Sequence, residues 1–157
     1  MCLDKSVSLR PAVETDFREI KKLILKARIN PTKLDWRRFT VAVSNRTLFR
    51  DEMSELIGCI QLKPVAGDLL ELASLVVRPD FRGQGIARKL IEHIMFEAPR
   101  PLYLICRSGL EIFYEKFGFR TLDPDETPGY YLRLQRLMRT LAQLTKRNDT
   151  LIVMKLG

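Results

Sequence analysis

The chain has 157 residues, 46% of them apolar, which suits one compact core and leaves little for a second, so a single domain over residues 1–157 is expected. No apolar run approaches the roughly twenty residues that a spanning helix needs, and no charged-then-apolar leader precedes Ser6. A soluble, cytoplasmic protein with no membrane partner is expected, and its formal charge of +8 leaves three classes of partner open: a polyanionic small molecule, an acidic surface or nucleic acid.

In chain order, Val7 to Arg10 is predicted as a short strand ended by Pro11. A helix follows, opened by Asp16 and Glu19 as a capping box, with Phe17, Ile20, Ile24 and Ala27 on one face. Asn30-Pro31 ends it. Trp36 to Ser44 alternates as a strand, Phe39, Val41 and Val43 opposite Thr40, Ala42 and Ser44, and a polar turn runs from Asn45 through Glu55. Leu56 to Lys63 is the next strand. Pro64 to Asp68 makes a hairpin-like turn into a strand over Leu69 to Val77, so these two should pair antiparallel. Arg78-Pro79 stops the Leu69 strand by removing a ladder donor.

The segment Arg82-Gly83-Gln84-Gly85-Ile86-Ala87 then opens a helix. Ile86, Ala87, Leu90, Ile91, Ile94 and Met95 recur on one face, with Arg88, Lys89, Glu92 and His93 outside. Glycines between a strand and a helix let backbone amides turn inward beside the positive end of a helix dipole, an arrangement suited to a pyrophosphate. Two glycine-loop patterns fail here: the dinucleotide fingerprint needs Gly or Ala where Arg88 stands, and the P-loop needs Gly-Lys-Ser/Thr.

Beyond it, Leu102 to Cys106 reads as a strand parallel to Leu69–Val77, joined to it by a right-handed helical crossover. Leu110 to Phe117 is predicted as a helix with Leu110, Phe113, Tyr114 and Phe117 on one side, and Gly118 as its left-handed cap. Phe119 to Leu122 is a strand and Thr150 to Leu156 the closing one. Between them, residues 123–148 form a helical insertion with a basic amphipathic helix over Tyr130 to Lys146. Its stripe of Tyr130, Leu134, Leu137, Leu141 and Leu144 is expected to dock it on the domain, leaving Arg133, Arg136 and Arg139 elsewhere on its surface.

Arg82-x-x-Gly85-x-Ala87, preceded by Val77-x-Pro79, resembles the acetyl-CoA loop of the GCN5-related N-acetyltransferase (GNAT) family. Tyr114-x-x-x-Gly118-Phe119 resembles that family's signature after its fifth strand, and the resemblance covers about Val7 to Leu122. It implies an α+β fold, a mixed and mostly antiparallel sheet with helices on both faces, which agrees with the element order read above. It also implies acetyl-CoA as co-substrate and an amine as acceptor. The backbone of Leu75, Val76 and Val77 would hold the pantetheine arm and polarise the thioester carbonyl; Arg82, Gly83, Gln84, Gly85, Ile86 and Ala87 would hold the pyrophosphate. Where the family often places Asn to contact CoA, the chain has Arg107-Ser108-Gly109, and Ser108 is the candidate replacement.

The chemistry then needs a base and a proton donor. An alkylammonium with a pKa near 10.4 is neutral in only about one molecule in a thousand at pH 7, and Glu71, four residues ahead of Leu75, is the candidate base by its similarity to the glutamate of histone-modifying members. Tyr114 matches the family's acid toward the departing thiolate. Cys2, Cys59 and Cys106 are odd in number and widely spaced, and His93 is the only histidine, so neither a metal site, a disulfide framework nor covalent catalysis is expected. A catalytically silent acetyl-CoA-binding sensor or interaction module is the alternative reading. Nucleic-acid binding is a third, disfavoured because the basic residues are scattered and not interleaved with aromatics on one strand face. Oligomeric state is not legible.

Overall fold

In the computed structural model, residues 6–48, 51–146 and 150–157 are described, with 46–48 and 51–53 described by backbone alone. The strands are β1 (Ser6–Pro11), β2 (Phe39–Leu48), β3 (Asp51–Ala66), β4 (Leu69–Val77), β5 (Leu102–Arg107), β6 (Arg120–Thr121) and β7 (Leu151–Leu156). The α-helices are α1 (Phe17–Lys26), α2 (Ile86–Glu97), α3 (Glu111–Glu115) and α4 (Gly129–Thr145). The strands form one mixed sheet in the order β1-β2-β3-β4-β5-β7-β6, and its recorded pairs are antiparallel except for β4 with β5. Among the described residues, no helix is long and apolar enough to cross a membrane.

The chain divides into two compact units: Met1–Lys63 with Leu72–Glu97, and Pro64–Glu71 with Ala98–Gly157. In the first, α1 lays Ile20 and Ile24 against Val41, Val43, Cys59 and Val76. Full burial of each such aliphatic side chain stabilises by roughly 1.5–3 kcal/mol. On the other face Leu90 of α2 approaches β3 over Gly58, where a Cβ would lie 3.5 Å from Leu90 Cδ1 and 3.0 Å from the Val76 carbonyl oxygen. Helices therefore cover both faces. Residues 39–44 of β2 are buried without exception, so the alternation in that stretch separates two covered faces.

Four expectations between residues 16 and 68 are corrected. Asp16 does not cap α1: its carboxylate grips the Arg10 guanidinium at 2.7 and 3.0 Å and accepts from the Val13 amide, while Glu19 turns to Lys22. Arg10 thus competes successfully for the capping oxygens. Trp36 is not in a strand; Asp35 accepts from the Arg37 amide and starts a short 3-10 turn over Trp36–Arg38. The polar stretch after Asn45 is a hairpin arm rather than a turn, since β2 and β3 pair from Asn45↔Ser54 to Leu48↔Asp51. Backbone ladders need no apolar side chains, so composition hides such an extension; residues 49–50 of the expected turn lie outside the described set. The following connection is tighter than Pro64–Asp68: β3 continues to Ala66, and Gly67 at φ +53° turns it with Asp68.

In the second unit, β5 buries Leu102, Tyr103 and Leu104 in succession and pairs with β7 from Leu102↔Leu156 to Arg107↔Leu151. Val65, Tyr103, Leu122, Tyr131 and Val153 form its core. The helix expected over Leu110–Phe117 is only α3, because Phe117 and Gly118 donate to carbonyls three residues back and tighten its end. Leu110 is accordingly exposed. Gly118, at φ +89°, reverses the chain as its cap pattern predicts. The strand expected over Phe119–Leu122 contracts to Arg120–Thr121, with Leu122 donating separately to Val153.

The expected docking stripe of α4 holds only at its start, where Tyr130 packs against this core and Leu134 is half-buried. Leu137, Leu141 and Leu144 remain 57%, 45% and 78% exposed. The helix is held also by Tyr131, fully buried, and by Gln135, whose Nε2 donates to the Leu151 carbonyl at 2.9 Å. Tyr131 and Gln135 lie on a face about a third of a turn from these leucines.

Candidate functional site

The glycine loop belongs to the first unit. After β4, the Arg78 amide donates to Ile57 at 2.8 Å, and the Arg78 guanidinium bonds Glu55 and Asp80, the latter at 2.7 and 3.1 Å. These carboxylates raise its pKa above the ordinary arginine value. Pro79–Phe81 forms a 3-10 turn with Phe81 buried under the Arg78 guanidinium. Arg82 Nε then donates to the Val77 carbonyl at 3.2 Å, tying the loop back to the strand end.

Gly83 and Gly85 follow at φ +77° and +75°, a region costly for residues with a Cβ, and a Cβ at either would meet nothing within 4 Å. Glycine is therefore needed for backbone conformation and for open space, not for packing. The helix begins at once: Lys89 donates to the Gly85 carbonyl at 3.1 Å, and the amides of the first turn are left without helical acceptors. A crevice of about 770 Å³ borders this loop, lined by Val76, Val77, Arg78 and Arg82 and by Lys22 and Lys26 of α1.

Leu75 to Val77 end β4 beside this loop. Just before them, Ser74 takes φ +55°, uncommon for a non-glycine residue; its hydroxyl donates to Gln61 Oε1 at 3.4 Å and its carbonyl accepts from the Cys59 thiol at 3.7 Å. Gln61 is fully buried and donates in turn to the Lys33 carbonyl at 3.2 Å. The kink in β4 is thus fastened by a buried polar chain. The Ser74 conformation, its Gln61 partner and the Glu55–Arg78–Asp80 cluster escape sequence reading. Only Arg78 and Asp80, two residues apart, carried a local signal.

The remaining candidates, Glu71, Ser108 and Tyr114, fall in the second unit. Glu71 is half-buried and stands opposite Tyr103 in the parallel ladder that begins at Leu70↔Leu102. Tyr131 stacks 5.7 Å from Tyr103 and 5.0 Å from Tyr130. Burial, then the Glu71 carboxylate, raise the pKa values of Tyr130 and Tyr131, so the half-buried Glu71 stands close to both phenols. Ser108 is exposed in the turn after β5, its amide donating to Thr150 at 2.9 Å.

Tyr114 packs 5.1 Å from Phe113 and 6.3 Å from Phe119, centroid to centroid. Burial, with a smaller contribution from Cys106, pushes its phenol up to about 12. It is a proton-bearing donor at neutral pH. Burial likewise pushes Cys59 up to about 12, and burial with the Glu111 charge pushes Cys106 up to about 11, so both are thiols and poor nucleophiles. His93 lies 3.4 Å from Glu97 on its own helix. Among the described residues, no three His, Cys, Asp or Glu side chains gather as metal ligands do.

A family model described as "Acetyltransferase (GNAT) domain" matches residues 35–121. Among solved structures, N-acetylglutamate synthase from Neisseria gonorrhoeae, complexed with coenzyme A and N-acetyl-glutamate, is similar at 22% identity and TM-score 0.62, over 98% of this chain and 36% of that one. Rv2747 from Mycobacterium tuberculosis, in complex with CoA and NLQ, is similar at 19% identity and TM-score 0.66, over 96% and 99% of the two chains. Arabidopsis thaliana Naa50, in complex with a bisubstrate analogue, matches at 17% identity and TM-score 0.60, over 97% and 99%. The chain spans about a third of the length of the Neisseria synthase chains. At these identities the likeness is one of fold. No curated protein sequence matches the chain.

Proposed function

Because the chain belongs to the acetyltransferase (GNAT) family, we propose that it is an acetyl-CoA-dependent N-acetyltransferase in which a primary amine attacks directly in a ternary complex. One observation carries this reading: between β4 and α2, inside the matched region, the loop holds two left-handed glycines beside open space and the N-terminus of a twelve-residue helix. That arrangement fits a diphosphate, with Gly83, Gln84, Gly85, Ile86 and Ala87 offering backbone amides and Arg82 a cation. Crystallised structural relatives with bound CoA support the same ligand.

When bound, acetyl-CoA supplies the acetyl group as an activated thioester. The end of β4 at Leu75, Val76 and Val77 would offer its backbone to the pantetheine arm, and an amide near Leu75 would face the carbonyl oxygen as its charge grows. Glu71 would take the proton from the amine, directly or through water. Tyr114 would donate a hydrogen bond to the departing sulfur and not surrender its proton outright, since a phenol held at about 12 is a weaker acid than a thiol near 8.5. Ser108 would contact CoA from the start of the α3 segment. Direct attack is favoured over a cysteine relay because Cys59 and Cys106 are held as buried thiols.

The test is release of CoA thiol from acetyl-CoA across a panel of amino acids, polyamines, peptide N-termini and lysine peptides. Acceptor-dependent release is expected. Tight acetyl-CoA binding with no release above hydrolysis for any amine would point instead to the catalytically silent sensor.

A further inference from the structure

The first turn of α4 carries a polar atom that burial leaves without a direct partner. Tyr131 is the largest fully buried side chain among the described residues, and its hydroxyl oxygen, shut off from solvent, makes no direct hydrogen bond. Such a group is unfavourable to bury and calls for a partner. The ring cannot turn away to find one. The Tyr131 amide donates to Pro128 at 2.9 Å, Gln135 one turn on donates to Leu151, and the ring packs with Val65, Leu122 and Val153 at centroid distances of 5.7 Å from Tyr103 and 5.0 Å from Tyr130.

Glu71 is the acceptor that this packing offers. It stands opposite Tyr103 in the parallel ladder, and Tyr103 is the ring on which Tyr131 stacks. The Glu71 carboxylate, after burial, raises the Tyr131 pKa by its charge and by hydrogen bonding. The two observations differ on the bond itself: the distances exclude a direct one in this structure, and the shift in the phenol shows only that the carboxylate is near. A single water or a small side-chain rotation closes such a gap. Tyr103 on β5 and Tyr130 on α4 also act on the Tyr131 phenol, and Lys155 of β7 stands over the Tyr103 ring at 5.9 Å.

We propose that Tyr131 is a positioning residue for Glu71: its hydroxyl donates to one carboxylate oxygen, through one enclosed water or after a small rotation, and leaves the other oxygen to the amine. This rests on the reading of Glu71 as the base. Tyr131 is itself fully buried, so it meets no acceptor and acts through the carboxylate alone. A phenol is a far weaker acid than a carboxyl group, so the proton stays on Tyr131 while Glu71 is charged. A donor of this kind holds the carboxylate in one orientation and favours its charged form. The helical insertion thereby gains a task, because α4 is the element that delivers the hydroxyl to Glu71.

Tyr131→Phe keeps the ring and removes only the hydroxyl, so thermal unfolding should be unchanged or slightly raised. Carbon-13 NMR of the Glu71 carboxyl carbon, assigned by its loss in Glu71→Gln, reads the pair without any acceptor. Its titration midpoint should lie about one pH unit higher in Tyr131→Phe than in the wild type, and the wild-type Tyr131 ring carbon bearing the hydroxyl should follow the Glu71 midpoint. An unmoved midpoint, or a ring carbon indifferent to it, would overturn the proposal; if the variant does not fold, the wild-type ring carbon decides. In CoA release, the acidic limb of kcat/KM should move with the midpoint, and Tyr131→Phe should add nothing in a Glu71→Gln background. Equal losses in both backgrounds would overturn it, since Tyr131 would then act elsewhere. Wild-type turnover in Glu71→Gln would sink the base reading and the positioning role with it, while the NMR shift would still show whether the two groups are paired.

Discussion

Replacing Tyr114 with Phe removes one hydroxyl and keeps the ring that packs on Phe113 and Phe119. With its packing retained, the fold should change in stability by less than about 1 kcal/mol. The effect belongs on turnover. A hydrogen bond to a charged group contributes about 1.5–3 kcal/mol, and at about 1.4 kcal/mol per factor of ten its loss lowers kcat by roughly 10- to 150-fold. Burial holds the phenol at about 12, so it remains protonated below that pH and loses its proton only above it. The ratio of wild-type to variant kcat should therefore stay flat from about pH 7 to about pH 10. Stopped-time CoA release across that range, with acetyl-CoA affinity from calorimetry, measures both quantities. Wild-type turnover in the variant, or a deficit that fades between neutral and mildly alkaline pH, would refute the role given to the hydroxyl.

Glu71→Gln should slow the reaction most at low pH, where few amine molecules are already neutral, and the deficit in kcat/KM should shrink as pH rises; a pH-independent deficit would remove it as base. Gly58→Ala forces a Cβ to 3.0 Å from the Val76 carbonyl and should destabilise the chain by about 1–3 kcal/mol in urea unfolding, with weaker acetyl-CoA binding because Val76 must shift. Asp16→Asn should cost about 1 kcal/mol at neutral pH by breaking the Arg10 pair. The Arg10 hydrogen bond lowers the Asp16 pKa below its ordinary 3.8, so this stabilisation is present above that value and is lost as pH falls through the folded pKa. The difference between wild type and Asp16→Asn should accordingly narrow in acid.

Local physics was legible where chain neighbours decide the outcome. The bounds of β4, the glycine loop and the buried face of α2 at Ile86, Leu90, Ile91 and Ile94 follow from propensity and spacing alone. What was not legible depends on partners distant in sequence. Asp16 carries a capping residue's chemistry, but Arg10 arrives from β1 and takes its oxygens. The polar arm after Asn45 is held by a ladder whose register is set farther down the hairpin. Leu137, Leu141 and Leu144 announce an apolar stripe, yet the contact made by Tyr131 and Gln135 rotates it away from the body of its unit. Among the candidate site residues, the loop was readable because glycine conformation is local. The Ser74 kink was not, since Gln61 and Cys59 hold it from the neighbouring strand.

The most direct test of the central claim is a calorimetric titration of acetyl-CoA into the wild-type chain and into Gly85→Val. Gly85 stands at φ +75° with open space around its Cβ position, so valine strains the turn and fills the space where a diphosphate would meet the backbone. Micromolar binding by the wild type and a loss of at least tenfold in a variant that remains folded are expected. Equal affinity in the two proteins would contradict the assignment of this loop to acetyl-CoA.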